Sequence, residues 1–138
     1  MYRLYEPLLI QKENEILIYT KDAYIDYIVP VPSDKRRILF RGNDHTLSIA
    51  TYLSKILKVP IIQALVRKGT SKRQALLPRS ERLRAQAGHF TLSPHVHITG
   101  KRILLVDDIT TTGSTLAETK KTLLAGGASF VYTLTIAH

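Results

Sequence analysis

Two adjacent carboxylates, Asp107 and Asp108, are followed by Thr110, Thr111, Thr112, Gly113, Ser114 and Thr115. A hydroxyl-rich turn with one glycine, placed directly before a helix, offers backbone N–H groups and hydroxyls at the positive helix end, which together make a cradle for a phosphate. The carboxylates cannot favourably face that phosphate, because like charges repel. They suit hydrogen bonds from the vicinal hydroxyls of a sugar, or a Mg²⁺ ion held through water. The implied ligand is shaped like ribose 5-phosphate, with hydroxyls at the aspartates and phosphate at Thr111, Thr112, Gly113, Ser114 and Thr115.

The elements around this stretch must place it at a strand end. "KRILLVDD" (101–108) reads as a buried strand, and "TLAETKKTLLAGGA" as a helix stopped by Gly126 and Gly127. "DYIVPVP" (26–32) is a short β-branched run closed by prolines. Leu47, Ile49, Ala50, Leu53, Ile56 and Leu57 fall at helical spacing, with Asn43 or Asp44 as N-cap. "VPIIQALV" (59–66) and the terminal "SFVYTLTIAH" read as strands, whereas "EILIYT" (15–20) reads as a strand that pairs with "YRLYEPLLI" in an N-terminal hairpin. Residues 67–90 carry much charge, Gly69 and Pro78, and read as an exposed basic loop with a short helix near Ser80 to Ala87. The succession predicts an α/β domain with a mostly parallel sheet flanked by helices and right-handed crossovers. In such sheets ligands bind at the C-terminal strand ends, where the aspartates and threonines lie.

The 138 residues suit one domain over 1–138. The net charge of +9 calls for an anionic partner. The charge concentrates in Lys35, Arg36, Arg37 and Arg41, and in Arg67, Lys68, Lys72, Arg73, Arg79, Arg82 and Arg84. With no cysteine, disulfides, thiolate zinc sites and a cysteine nucleophile are excluded. No signal peptide or bilayer-length apolar run is visible, so a cytoplasmic protein without a membrane partner is expected. His95 and His97 alternate as ligands on one strand face would, but no third ligand is near. Tyr2, Tyr5, Tyr19, Tyr24 and Tyr27 can stack on bases, though core or interface packing is the expected role.

"ILLVDDITTTGSTL" resembles the phosphoribosyl pyrophosphate (PRPP) binding motif of type I phosphoribosyltransferases. "IDYIVPVP" with the following basic residues and "RGND", then "LVRKGTSKRQALLPRSERLR", is similar to the ComF family of competence-associated, amidophosphoribosyltransferase-like proteins, over roughly Asp26 to the C-terminus. The resemblance implies a type I phosphoribosyltransferase-like fold with a small hood, to which residues 1–22 contribute either a hairpin or a hood element. Asp107 and Asp108 then contact the ribose hydroxyls and Mg²⁺ as the catalytic pair, and Thr111 to Thr115 hold the 5-phosphate. Ser33, Lys35 and Arg36 bind pyrophosphate, and Arg67, Lys68, Gln74, Arg79 and Arg82 belong to the flexible loop. Arg41 and Gly42 match the family's Arg-Gly-Phe-Asn-Gln, whereas Asn43, Asp44 and His45 depart from it, and Ala85 stands where asparagine is frequent. The four-cysteine zinc module common in the family has no counterpart here.

The reaction so implied transfers phosphoribosyl to a nitrogen acceptor with release of pyrophosphate, in nucleotide metabolism. The alternative is a non-catalytic protein of DNA uptake whose basic loops bind single-stranded DNA. A homodimer is the assembly common in the superfamily.

Overall fold

The computed structural model describes residues 15–33, 44–68, 89–109 and 114–137. The predicted helix at Ser80 to Ala87 lies outside them. A sheet in the order β1 (Tyr27–Pro30), β3 (Arg102–Ile109), β4 (Phe130–Ala137) carries the fold, with both pairings parallel. In register, Pro30 faces Val106, and Val106 faces Leu134. Two helices flank it, α1 (His45–Leu57) and α2 (Ser114–Ala125).

Strand alternation divides the core between the two faces. Ile28, Leu104 and Val106 point to one side, where Ile49, Ala50, Tyr52 and Leu53 of α1 cover them. Val29, Val31, Ile103, Leu105 and Val131 point to the other, against Leu116 and Leu123 of α2. Asp44 is the N-cap of α1, its carboxylate accepting the Leu47 N–H. α2 ends in a Schellman motif: Ala128 N–H donates to Leu123 and Gly127 N–H to Leu124, with Gly127 at φ +107°.

The structure corrects four readings. Residues 15–20 are helical, not a strand, so a hairpin arm is absent there. Only Ile16 and Thr20 of that run are buried, a spacing of four that fits a helix laid on the α1 face, and Thr20 Oγ1 donates to the Ile16 carbonyl.

Residues 59–66 do not form one parallel strand. Ile61 makes a single parallel bridge to Ile28, bounded by Ile28 N–H to the Pro60 carbonyl and Ile62 N–H to the Ile28 carbonyl. The next rung needs an N–H from Pro30, which proline lacks, so the ladder stops.

The chain then turns away as β2 (Leu65–Arg67) and pairs antiparallel with a strand the sequence reading missed. That strand precedes Arg102 and is here called the return strand (Phe90–Leu92). Both ends of the expected loop 67–90 are therefore strand residues. Finally, His95 sits in a turn at φ +68°, so His95 and His97 share no strand face. Among the described residues no group of three metal-binding side chains occurs.

Tyr19 packs edge-on to Tyr132 and donates to the Thr133 carbonyl, which fits the packing role, whereas Tyr24 is exposed. Tyr2 and Tyr5 lie outside the described residues. No described helix is long and apolar enough to cross a membrane.

Candidate functional site

β1 and β3 lie side by side and parallel, so their C-terminal ends open at the same edge of the sheet. Val31 N–H donates to the Val106 carbonyl at 2.8 Å, which sets Pro32 and Ser33 beside Asp107 and Asp108. The acid pair stands near the C-terminal end of β3, and the next described element along the chain is α2, whose first turn contains Thr115.

Asp108 is buried and Asp107 partly so. Asp107 Oδ1 accepts the Asp108 N–H at 2.9 Å. Burial pushes the Asp107 pKa up from 3.8 to about 6. The Asp108 N–H counters this, the Asp108 carboxylate adds to it through charge and a side-chain hydrogen bond, and the Arg67 guanidinium lowers it. Two carboxyls this close hold one negative charge more easily than two. The site therefore attracts a cation, or hydroxyls that donate to the pair.

The Arg67 charge reaches Asp107 from the end of a strand. It ends β2, donates from Nη2 to the Pro32 carbonyl at 3.1 Å and stacks over the Phe90 ring at 4.8 Å. The Lys68 side chain is exposed, while its N–H donates to the His89 carbonyl at 2.6 Å. Ser33 Oγ donates to Asp44 Oδ1 at 2.9 Å, tying the exit of β1 to the start of α1. Thr115 lies partly buried on α2, and its carbonyl accepts Thr119 Oγ1 at 2.7 Å. Ser114 opens that helix.

Thr111, Thr112 and Gly113, Lys35 and Arg36, and Gln74, Arg79 and Arg82 lie outside the described residues. The structure thus sets Pro32 and Ser33, at the exit of β1, beside the acid pair at the end of β3, and brings Arg67 to the Pro32 carbonyl.

Three participants escaped the sequence reading in these roles: Pro32 as an acceptor, Asp44 as the partner of Ser33, and Glu118 as the partner of His89, discussed below. Asp44 had a local signal, its N-cap position. The other two act through contacts distant in sequence.

No protein-family model matches the chain, and no curated protein matches it. Solved structures do. Adenine phosphoribosyltransferase from Saccharomyces cerevisiae superposes with a TM-score of 0.62 at 17% identity, over 99% of this chain and 69% of that one. Purine phosphoribosyltransferase from Pyrococcus horikoshii gives 0.60 at 19%, over 98% and 73%. Glutamine PRPP amidotransferase from B. subtilis gives 0.59 at 21%; 88% of this chain spans 24% of that enzyme, about a quarter of its length. The fold is that of the type I phosphoribosyltransferases, an α/β domain whose parallel sheet is flanked by helices.

Proposed function

We propose that the chain binds PRPP, or another ribose 5-phosphate, with Mg²⁺ and transfers the phosphoribosyl group to a nitrogen acceptor, as a single phosphoribosyltransferase-like domain. The observation that carries this reading is the acid pair at the C-terminal end of β3, beside the exit of β1. The fold shared with phosphoribosyltransferases supports it.

The donor set fits the metal. Two adjacent hard carboxylates, partly desolvated and reluctant to ionise together, suit Mg²⁺, which takes one or two carboxylates and completes its shell with water and phosphate oxygens. When bound, the ion supplies positive charge to the leaving pyrophosphate.

The remaining work falls to the protein. Asp107 and Asp108 accept hydrogen bonds from the ribose hydroxyls and orient the ring. Thr111 to Thr115 anchor the 5-phosphate, and Ser33, Lys35 and Arg36 take the pyrophosphate. The bond from C1 to the pyrophosphate oxygen breaks as the acceptor nitrogen bonds to C1. Positioning and charge neutralisation supply most of the rate.

Calorimetry of PRPP with Mg²⁺ tests this reading. Binding that disappears without Mg²⁺ and in the Asp107→Asn, Asp108→Asn double variant is expected; absence of binding to the unaltered chain rejects it. Pyrophosphate release in the presence of candidate bases then identifies the acceptor.

The ComF-like alternative rests on the net charge of +9 and its concentration in two segments. It requires single-stranded DNA affinity that falls steeply with salt, since phosphate contacts release counterions. Sedimentation tests whether the chain forms the homodimer that the resemblance implies.

A further inference from the structure

The ribbon formed by β2 and the return strand is held from two sides, and the two holds reach different parts of the candidate site. On one side Glu118, in the early part of α2, accepts the His89 backbone N–H at 2.5 Å through Oε1, while Oε2 lies 3.5 Å from His89 Nδ1. His89 in turn accepts the Lys68 N–H, so a single carboxylate grips the point where both ribbon strands meet. Phe90 and Leu92 pack beneath it into the cluster that contains Leu116 and Leu123 of α2.

On the other side Arg67, directly opposite Phe90 in the ribbon register, donates to the Pro32 carbonyl at the exit of β1. The ribbon therefore links α2 to the exit of β1. Its stiffness at the α2 end depends on a charge-assisted hydrogen bond to a backbone amide, a strong contact for one side chain.

We propose that Glu118 is a positioning residue for the site: through His89 it fixes the ribbon, and with it Arg67, relative to α2, so that an anion bound at the start of α2 is felt at Arg67. The second half of this proposal rests on the phosphate-binding reading given above; the first half does not.

Amide hydrogen exchange on the full chain, followed by NMR, separates them. Without ligand, Glu118→Ala is expected to speed exchange of the His89 and Lys68 amides at least about tenfold, the consequence of losing a hydrogen bond to a charged acceptor. Glu118→Gln keeps an oxygen for the His89 N–H and restores most of the protection, which a mere loss of helix packing would not predict. Unchanged protection in Glu118→Ala overturns the clasp. Should that variant not fold, Glu118→Asp decides in its place, because it retracts the carboxylate by one methylene, and unchanged protection there overturns the clasp equally.

Ribose 5-phosphate is then added. In the unaltered chain it is expected to slow exchange at the start of α2 and also at Arg67 and Lys68; in Glu118→Ala it slows the α2 amides alone. Slowing confined to α2 in the unaltered chain overturns the coupling. No slowing anywhere rejects the phosphate-binding reading, while the unliganded comparison still decides the clasp.

Discussion

Ser33 donates its hydroxyl to the Asp44 carboxylate at 2.9 Å, and the same oxygen accepts the Leu47 N–H at 3.1 Å. One side chain therefore caps α1 and ties it to the exit of β1. Asp44→Ala removes the cap and leaves Ser33 without this acceptor. A loss of about 1 to 2 kcal/mol is expected, seen as a lower midpoint in urea. Asp44→Asn retains an oxygen for both donors and is expected to lose less than half of that.

The charge on Arg67 lowers the Asp107 pKa, so Arg67→Ala is expected to raise it above about 6, measured by NMR titration of the carboxyl carbon. Arg67→Lys keeps a charge but loses the planar group that stacks on Phe90 and reaches Pro32. It should recover part of the pKa effect and little of the ribbon's rigidity.

Asp107 titrates with the reverse of the usual carboxylate sign. Its folded pKa of about 6 lies above the ordinary 3.8, so the folded state favours the protonated form. Its stabilising contribution is full below 3.8 and is lost as pH rises through about 6. Asp107→Asn is expected to raise the melting temperature at pH 7 to 8 by a few degrees, on the order of 1 kcal/mol after allowance for solvent screening. That gain should shrink toward pH 5. Binding of a Mg²⁺-dependent ribose phosphate runs the other way in the unaltered chain, strengthening as pH rises through about 6 and Asp107 ionises.

Gly127 occupies φ +107°, and a Cβ there would stand 3.0 Å from Thr99 Oγ1 and 3.2 Å from Thr99 Cα. Gly127→Ala is expected to cost about 1 to 3 kcal/mol, through backbone strain plus contact with a main-chain atom. The effect should appear in thermal unfolding and leave ligand affinity unchanged, since the motif lies at the opposite end of α2 from the acid pair.

Much of the frame was legible because its signals are local. The run of Ile103, Leu104, Leu105 and Val106 is fully buried and central, as its unbroken apolarity requires. The spacing of Ile49 and Leu53 gave α1, and the paired glycines gave the end of α2. "EILIYT" misled because alternation and helical spacing are indistinguishable over six residues when only Ile16 and Thr20 are buried. The return strand Phe90–Leu92 was invisible for another reason: three residues have no period, and what makes them a strand is the partner at Leu65–Arg67.

The sequence by itself determined the acid pair, its place between a buried strand and a helix, and the chemistry those residue types permit, because strand, turn and helix are contiguous there. Only the tertiary structure decided what surrounds the pair. It placed Arg67 at the end of β2 with its guanidinium on the Pro32 carbonyl, it joined Ser33 to Asp44, and it tied His89 to Glu118. These contacts join segments 11 to 35 residues apart along the chain. The packing of strand ends fixes them, and no repeat or spacing in the sequence records which ends will meet.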